Sequence, residues 1–197
     1  MTRSKLADHE QMTIEEFLGF TQERPDNERW ELIEGVAILN ASPTYFHQVI
    51  ATNIVRILGN ACIAQRASWQ PLIGMSTKVP ASPRSLPQPD IMVMEAAASN
   101  LTVAEDAITL FEILSKSNTR TDQDWRRRVY SSIVKCQHYV VVDQFKPRVT
   151  RYDRATGWDG FTYSQFSDEL QLPALGGVVL PLADIYARTA VAANDQS

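Results

Sequence analysis

The chain has 197 residues, of which 44% are hydrophobic and 21% are charged, a composition typical of soluble globular proteins. Nineteen basic and twenty-three acidic residues give a net charge of −4, which argues against indiscriminate binding to nucleic acid or to an anionic membrane. A local basic groove is still compatible with this balance, because residues 120–128 include four arginines. The length favours one domain, which we place at residues 11–187 between loose tails at 1–10 and 188–197.

The two cysteines, Cys62 and Cys136, are far apart and form neither a disulfide framework nor a zinc-type ligand pair. The N-terminal segment lacks the apolar stretch of a secretory signal. No apolar run approaches the ~18 residues that suggest a membrane span. We therefore expect a cytoplasmic protein with no membrane association.

The N-terminal part of the chain contains a helix signal and a hairpin signal. Thr13 and Glu16 have the spacing of a capping box, and the helix that they begin must end before Pro25. The dipeptide Glu34-Gly35 separates two apolar runs, as in a β-hairpin. The predicted elements of this part are a helix after Thr13, hairpin strands at 30–33 and 36–39, a long helix at 44–64 and a strand at 68–79.

Residues 80–89 contain four prolines and cannot form regular structure, so they are predicted to be an extended loop. This loop leads to Asp90 and the apolar run 91–94. Later apolar runs are continuous rather than alternating, which favours an α/β sheet covered on both faces. The remaining predicted elements are strands at 107–114 and 139–142, a helix at 121–134, edge strands at 149–152 and 160–163, and a short helix at 180–186.

Glu112 lies inside an apolar strand, where alternation places it on the same face as Leu110 and Leu114. A carboxylate in such a layer is costly unless it is paired, hydrogen-bonded or bound to a metal. Asp90 begins the preceding strand, so the two acids can converge on a divalent cation, which prefers oxygen ligands. The alternative is that each acid forms an ordinary salt bridge near the surface.

Asp122, Arg126 and Tyr130 are spaced four residues apart and form one polar stripe on the predicted helix. The buried face of that helix is predicted from Trp125, Val129 and Ile133. The stripe therefore runs beside the core, where its side chains can reach the ends of adjacent strands. The alternative is a surface pair between Asp122 and Arg126.

Taken together over roughly residues 11–185, a series of ordered motifs resembles the Uma-two family of restriction endonucleases, within the PD-(D/E)XK nuclease superfamily. The motifs are Arg29-Trp-Glu-Leu-Ile-Glu-Gly35 with Ser42-Pro43, His47, Pro89-Asp-Ile-Met-Val-Met94, Phe111-Glu-Ile-Leu-Ser115, the Asp122, Arg126 and Tyr130 stripe, and His138-Tyr-Val-Val-Val-Asp143. The resemblance implies a restriction-endonuclease-like core, with a mixed central sheet flanked by helices and an N-terminal helix and hairpin. It also implies hydrolysis of DNA phosphodiester bonds assisted by Mg²⁺ or Mn²⁺.

Carried over residue by residue, the resemblance makes Asp90 and Glu112 the metal ligands, with help from the backbone carbonyl of Ile113. Glu31 matches an early acidic position and is expected to be an outer ligand. His47 matches a recurrent histidine at the mouth of the site.

Arg126 departs from the family pattern. In the family this helix position is usually a lysine, which replaces the lysine found more commonly in the superfamily at the strand position occupied here by Leu114. Arginine can stabilise phosphate charge, but its planar fork and permanent charge make it a poor copy of lysine. Lys116, four residues after Glu112, is the nearest candidate to compensate, and an exposed loop lysine is the alternative interpretation.

Three functional hypotheses follow from these residues. The first is a metal-dependent endonuclease, with arginines 126–128 as candidates for phosphate contacts or, alternatively, as a solvated helix face. The second is a nuclease-fold protein with little catalysis that serves nucleic-acid binding or assembly. The third is a structural homodimer formed through apolar edge segments such as 149–152. A nucleophile made of Cys136 and His138 is set aside, because no orienting acid or turn signature supports it.

Overall fold

The computed structural model describes residues 4–5, 11–116 and 118–193. The helices are α1 (Ile14–Gln22), α2 (Tyr45–Gln65), α3 (Arg120–Ser131), α4 (Leu182–Ile185) and α5 (Ala190–Ala193). The strands are β1 (Ser4–Lys5), β2 (Arg29–Ile33), β3 (Val36–Asn40), β4 (Trp69–Ile73), β5 (Ser76–Thr77), β6 (Ile91–Glu95), β7 (Val103–Ala104), β8 (Ala107–Leu114), β9 (His138–Asp143), β10 (Arg148–Asp153), β11 (Gly160–Tyr163), β12 (Glu169–Leu172) and β13 (Val178–Pro181).

A six-stranded mixed sheet forms the centre of the molecule, in the order β11-β10-β9-β8-β6-β4. Strands β8 and β9 are parallel and are joined by α3, whereas the other neighbours in this sheet are antiparallel. The carboxyl ends of β8 and β9 therefore lie side by side. The predicted mixed sheet flanked by helices is confirmed.

The two faces of the sheet bury different helices. Alternate residues of β8 point to opposite faces, so Phe111 and Ile113 pack with α2, whereas Leu110 packs with Val129 and Tyr130 of α3. This alternation explains the continuous apolar runs of the central strands. It also places Glu112, next in register after Leu110 on that face, beneath α3.

A smaller unit carries the hairpin that was predicted around Glu34-Gly35. Strands β2 and β3 pair around this turn, where both residues have positive φ, as a two-residue hairpin turn requires. Phe17 of α1, Leu32 and Leu86 of the proline-rich loop form its own core. Thr13 and Glu16 make the predicted capping box at the start of α1.

The predicted edge strand at 149–152 is wrong, because β10 is hydrogen-bonded to β9 on one side and to β11 on the other. Only the second predicted edge strand, β11, lies at the border of the sheet. The backbone of Val149 to Tyr152 is therefore already paired on both sides and cannot accept a strand from a second copy.

Two further predictions differ in detail from the structure. The single strand at 68–79 is divided into β4 and β5, and Gly74 between them has φ of 65°. The helix predicted at 180–186 is shorter, because residues 180 and 181 end β13.

Of the predicted loose tails, residues 1–3, 6–10 and 194–197 lie outside the described residues. In the described part, Ser4 and Lys5 pair with β3, and residues 190–193 form α5. Within residues 4–5, 11–116 and 118–193, no helix combines the length and the apolar character needed to cross a bilayer.

His138 at the start of β9 belongs to a buried polar network. Its Nδ1 lies 2.6 Å from Oδ1 of Asp153, whose Oδ2 accepts a hydrogen bond from Arg151, and its Nε2 accepts one from the amide of Ala174. Burial lowers the pKa of His138 despite the adjacent carboxylate, since Arg151 already neutralises Asp153. Protonation would also break the bond from Ala174. His138 is thus a structural neutral histidine.

This arrangement predicts that the stability contributed by His138 is lost in acid. Because the folded-state pKa lies below the unfolded value of 6.5, the unfolded chain binds the proton first, and stability falls as pH decreases through this range. Urea denaturation of wild type and His138→Gln should show the wild-type advantage shrinking from pH 7.5 to pH 5. Other titrating groups are common to both proteins and cancel. A wild-type advantage that grew in acid would mean that His138 is charged in the folded state.

Candidate functional site

The candidate site is a cleft of about 410 Å³ at the carboxyl end of β8. Antiparallel pairing of β6 with β8 brings the start of β6, preceded by Asp90, beside Glu112. The hairpin supplies Glu31, α3 supplies Arg126, and the first turn of α2 supplies His47, all of which line this cleft. The hairpin, α2, the start of β6, β8 and α3 therefore meet at one place.

Arg126 lies at the centre of a buried hydrogen-bond network. Its Nη2 donates to both carboxylate oxygens of Glu31 at 2.9 and 2.8 Å, and its Nη1 donates to Oε1 of Glu112 at 2.9 Å. Nη1 also lies 2.9 Å from the hydroxyl of Tyr130, which donates to the same Oε1 at 2.7 Å. With exposed fractions of 1% for Glu31, 7% for Glu112 and 6% for Arg126, these charges interact at low local dielectric.

The two glutamates respond differently to this environment. Burial raises the pKa of Glu112 to about 8; Arg126 opposes the rise, and the negative charges of Asp90 and Glu31 add to it. Burial acts on Glu31 too, but Arg126, the amide of Gln88 and the side chain of Asn40 hold its pKa below the usual value. Glu31 is therefore the ionised partner of Arg126, and Glu112 is the acid for which the site lacks positive charge.

Asp90 has a separate set of partners. Its Oδ2 accepts a hydrogen bond from the Ile113 amide at 2.8 Å and lies 3.2 Å from Nε2 of His47, while Oδ1 lies 3.8 Å from Arg29. Although burial opposes ionisation, His47, the Ile113 amide and Arg29 lower the pKa of Asp90. Asp90 is therefore an ionised carboxylate held in a fixed orientation.

The other predicted residues occupy different positions. Lys116 is exposed at the mouth of the cleft, with its Nζ 5.9 Å from the ring centroid of Phe145. Asp122 is the acidic residue of the α3 capping box, where its Oδ2 accepts from the amide of Thr119, so it serves the helix end. Tyr130 is fully buried against Glu112, as its place on the polar stripe predicts.

Several residues of the site, among them Arg29, Gln144 and Phe145, were missed from the sequence. Arg29 lies two residues before Glu31 in β2, so strand alternation could have placed it on the same face. Gln144 and Phe145 directly follow β9, and they could have been found from the rule that parallel strands end at the same edge of a sheet. Arg126 was expected near the site, but its pairing with Glu31 was not.

The carboxylate oxygens of the cleft are of the kind that a divalent cation keeping several waters prefers. In the described part of the chain, the hydrogen bonds to Glu112 all end on Oε1, so Oε2 is not occupied by them. No group of three or more His, Cys, Asp or Glu side chains is placed to hold a metal among these residues. Mg²⁺ commonly binds through one or two protein carboxylates together with substrate phosphate. The raised pKa of Glu112 likewise marks a place that is deficient in positive charge.

The fold matches that of a solved nuclease-fold protein. The crystal structure of a putative nuclease belonging to DUF820 from Anabaena variabilis superposes with a TM-score of 0.72 at 17% sequence identity. The match covers 89% of this chain and 98% of that one. The two proteins therefore share a fold.

The sequence comparison identifies the family within this fold. The Uma2 family model, described as "putative restriction endonuclease", matches residues 14–183, which is most of the chain. The chain belongs to the Uma2 family. Comparison with curated proteins gives no match.

Proposed function

We propose that this protein is a divalent-metal-dependent endonuclease that hydrolyses phosphodiester bonds of DNA. The observation that carries the proposal is that two carboxylates, the partly buried Asp90 just before β6 and the buried Glu112 in the adjacent β8, line one cleft in a chain of the Uma2 family. Both belong to the part of the chain that resembles the PD-(D/E)XK motif. Ile113 would add its carbonyl as a further ligand, and Mg²⁺ or Mn²⁺ is the expected ion.

In this proposal, some side chains of the cleft would hold the metal ion and others would orient those ligands. Oδ1 of Asp90 and Oε2 of Glu112 would hold the ion, which supplies Lewis-acid activation of phosphate and water when bound. His47 and the Ile113 amide orient Asp90, and Tyr130 fixes the other oxygen of Glu112. Glu31 keeps Arg126 in place rather than binding the ion directly, because both of its oxygens accept hydrogen bonds.

Nicking of supercoiled plasmid in Mg²⁺ or Mn²⁺ tests this proposal. Asp90→Asn and Glu112→Gln should each lower the rate about 100-fold or more, because each removes a negative charge that would hold the metal ion, and the ion would stabilise the charge of the transition state. Glu105→Gln is the matched control, since Glu105 is an exposed acid paired with Lys78 away from the cleft. EDTA should stop the reaction. Equal cleavage by wild type and both site variants would show that a contaminant is responsible and would reject the proposal.

A second candidate function is supported by the pairing of Arg126. Its guanidinium already neutralises Glu31 and contacts Glu112, so its position is fixed. The lysine expected at this position in a nuclease has a flexible stem and can move its charge toward water or phosphate. On this alternative, the protein is a nucleic-acid-binding or assembly module with little catalysis. DNA binding without turnover, in both wild type and Arg126→Lys, would favour it.

A further inference from the structure

Phe145 lies half exposed, at 50%, on the turn between β9 and β10, where it forms part of the wall of the cleft. Its amide donates to Oδ1 of Asp143, which fixes the start of the turn. The hydroxyl of Tyr186 accepts from the amide of Arg148 and lies 2.9 Å from the carbonyl oxygens of Asp143 and Arg148, which joins both ends of the turn. The ring is therefore presented on a fixed turn.

Gln144, the neighbouring residue, ties this turn to the floor of the cleft. Its side chain is buried, with Nε2 donating to the carbonyl of Leu114 at 2.6 Å and Oε1 accepting from the hydroxyl of Thr44 at 2.8 Å. Leu114 ends β8, and Thr44 caps α2. Phe145 therefore keeps a constant position relative to the strand that carries Glu112.

The surroundings of Phe145 combine apolar surface with positive charge. Lys116 places its ammonium 5.9 Å from the ring centroid, and Ala41 and Pro43 line the same cleft. Glu31, Asp90 and Glu112 line the cleft together with Arg29 and Arg126, and Lys116 adds a positive charge beside Phe145. An aromatic ring beside a lysine suits a nucleotide, because the ring stacks on the base and the ammonium attracts the phosphate.

The form of the nucleic acid follows from this geometry. In a duplex, each base is covered on both faces by its neighbours, so a ring in the wall of a cleft can reach only an unpaired or extruded base. A single exposed aromatic residue is ordinary on a protein surface. Phe145 differs because its turn is fixed and because it shares a cleft with the two acids.

We infer that Phe145 and Lys116 form a stacking site for an unpaired nucleobase at the mouth of the cleft, so that the favoured partner is single-stranded or locally unpaired nucleic acid. The inference rests on the proposed function and names the substrate class of that site. The strand would place one base against Phe145 and an adjoining phosphate toward the two acids.

Fluorescence anisotropy of the full chain with labelled oligonucleotides tests the inference separately from catalysis. The probes are a single strand, its blunt duplex and the same duplex with an unpaired bulge, all in Ca²⁺ to suppress turnover. Phe145→Ala should weaken binding of the single strand and the bulged duplex about tenfold and leave the blunt duplex unchanged. Phe145→Trp should retain binding. Phe161→Ala is the matched control, since Phe161 is 60% exposed on the border strand β11.

A 2-aminopurine base in the single strand gives an independent measure, because stacking on Phe145 should quench its fluorescence in wild type and not in Phe145→Ala. Equal affinities of wild type and Phe145→Ala for all three probes would overturn the inference, and so would equal losses on all three. If Phe145→Ala changed the oligomeric state but not the affinity for the oligonucleotides, the inference would be overturned, and Phe145 would instead belong to a self-association surface. Equal cleavage rates of wild type and Phe145→Ala would contradict the inference and would leave the proposed function uncontradicted. Selective binding without cleavage would support the inference and contradict the proposed activity.

Discussion

Replacing Arg126 by lysine is expected to raise metal-dependent plasmid nicking by at least about tenfold, which is less than the roughly 10²–10⁴-fold that a positioned proton-transfer group contributes. The guanidinium holds Glu31 with one nitrogen and Glu112 with the other. Lysine has a compact ammonium on a flexible stem, so it cannot span both acids in the same way. It would remove the guanidinium from Oε1 of Glu112, which Tyr130 would still hold, and leave a cation able to orient the attacking water.

Arg127→Lys is the matched control for this prediction. Arg127 lies on the same helix but is partly exposed and pairs with Asp124 at 3.3 Å, so its replacement should leave the rate unchanged. The comparison needs initial rates at several Mg²⁺ concentrations, which separate a gain in metal affinity from a gain in turnover. If Arg126→Lys binds DNA and cleaves no faster than wild type, the arginine is not what limits catalysis.

The parts of the fold that were predicted from the sequence are those specified by local signals. The capping box at Thr13 and the helical period of residues 44–64 concern neighbours within a few positions, and both elements formed close to their predicted bounds. The strand face that Glu112 shares with Leu110 and Leu114 was also predicted, because alternation within one strand fixes the face on which each residue lies.

The features that could not be predicted depend on contacts between distant parts of the chain. Arg126 pairs with Glu31, 95 positions away, because α3 is rotated so that the polar stripe meets the hairpin. The local interpretation, a surface pair with Asp122, competes with this contact and is equally compatible with the sequence. Gln144 reaches Thr44 across 100 positions. Likewise β10 has the composition of an edge strand, and only the order of the sheet shows that it is internal.

Removing the charge of Arg126 is expected to produce the largest loss of stability of any single change in the cleft. Arg126→Met would leave Glu31 and Glu112 buried without their cation, and breaking a buried pair in this way costs about 3–5 kcal/mol. Urea denaturation at pH 7.5 would measure the loss as a lower midpoint. Arg127→Met, which removes an exposed charge from the same helix, should change the free energy of unfolding by less than about 0.5 kcal/mol.

The cause of this loss can be tested by restoring the charge balance in two ways. Glu31→Gln in the Arg126→Met background should recover part of the stability, because one of the unpaired carboxylates is then neutral. Lower pH should also recover part of the stability of Arg126→Met, because protonation neutralises the unpaired carboxylates. In wild type Arg126 helps to hold the pKa of Glu31 below the unfolded value of 4.5 and opposes the raised pKa of Glu112, so the folded-state pKa values of both glutamates rise when Arg126 is removed. The folded variant then holds extra protons, so its deficit relative to wild type grows as pH rises above about 4.5 and shrinks in acid. A deficit that is independent of pH and of Glu31→Gln would mean that Arg126 stabilises the protein by packing rather than by charge.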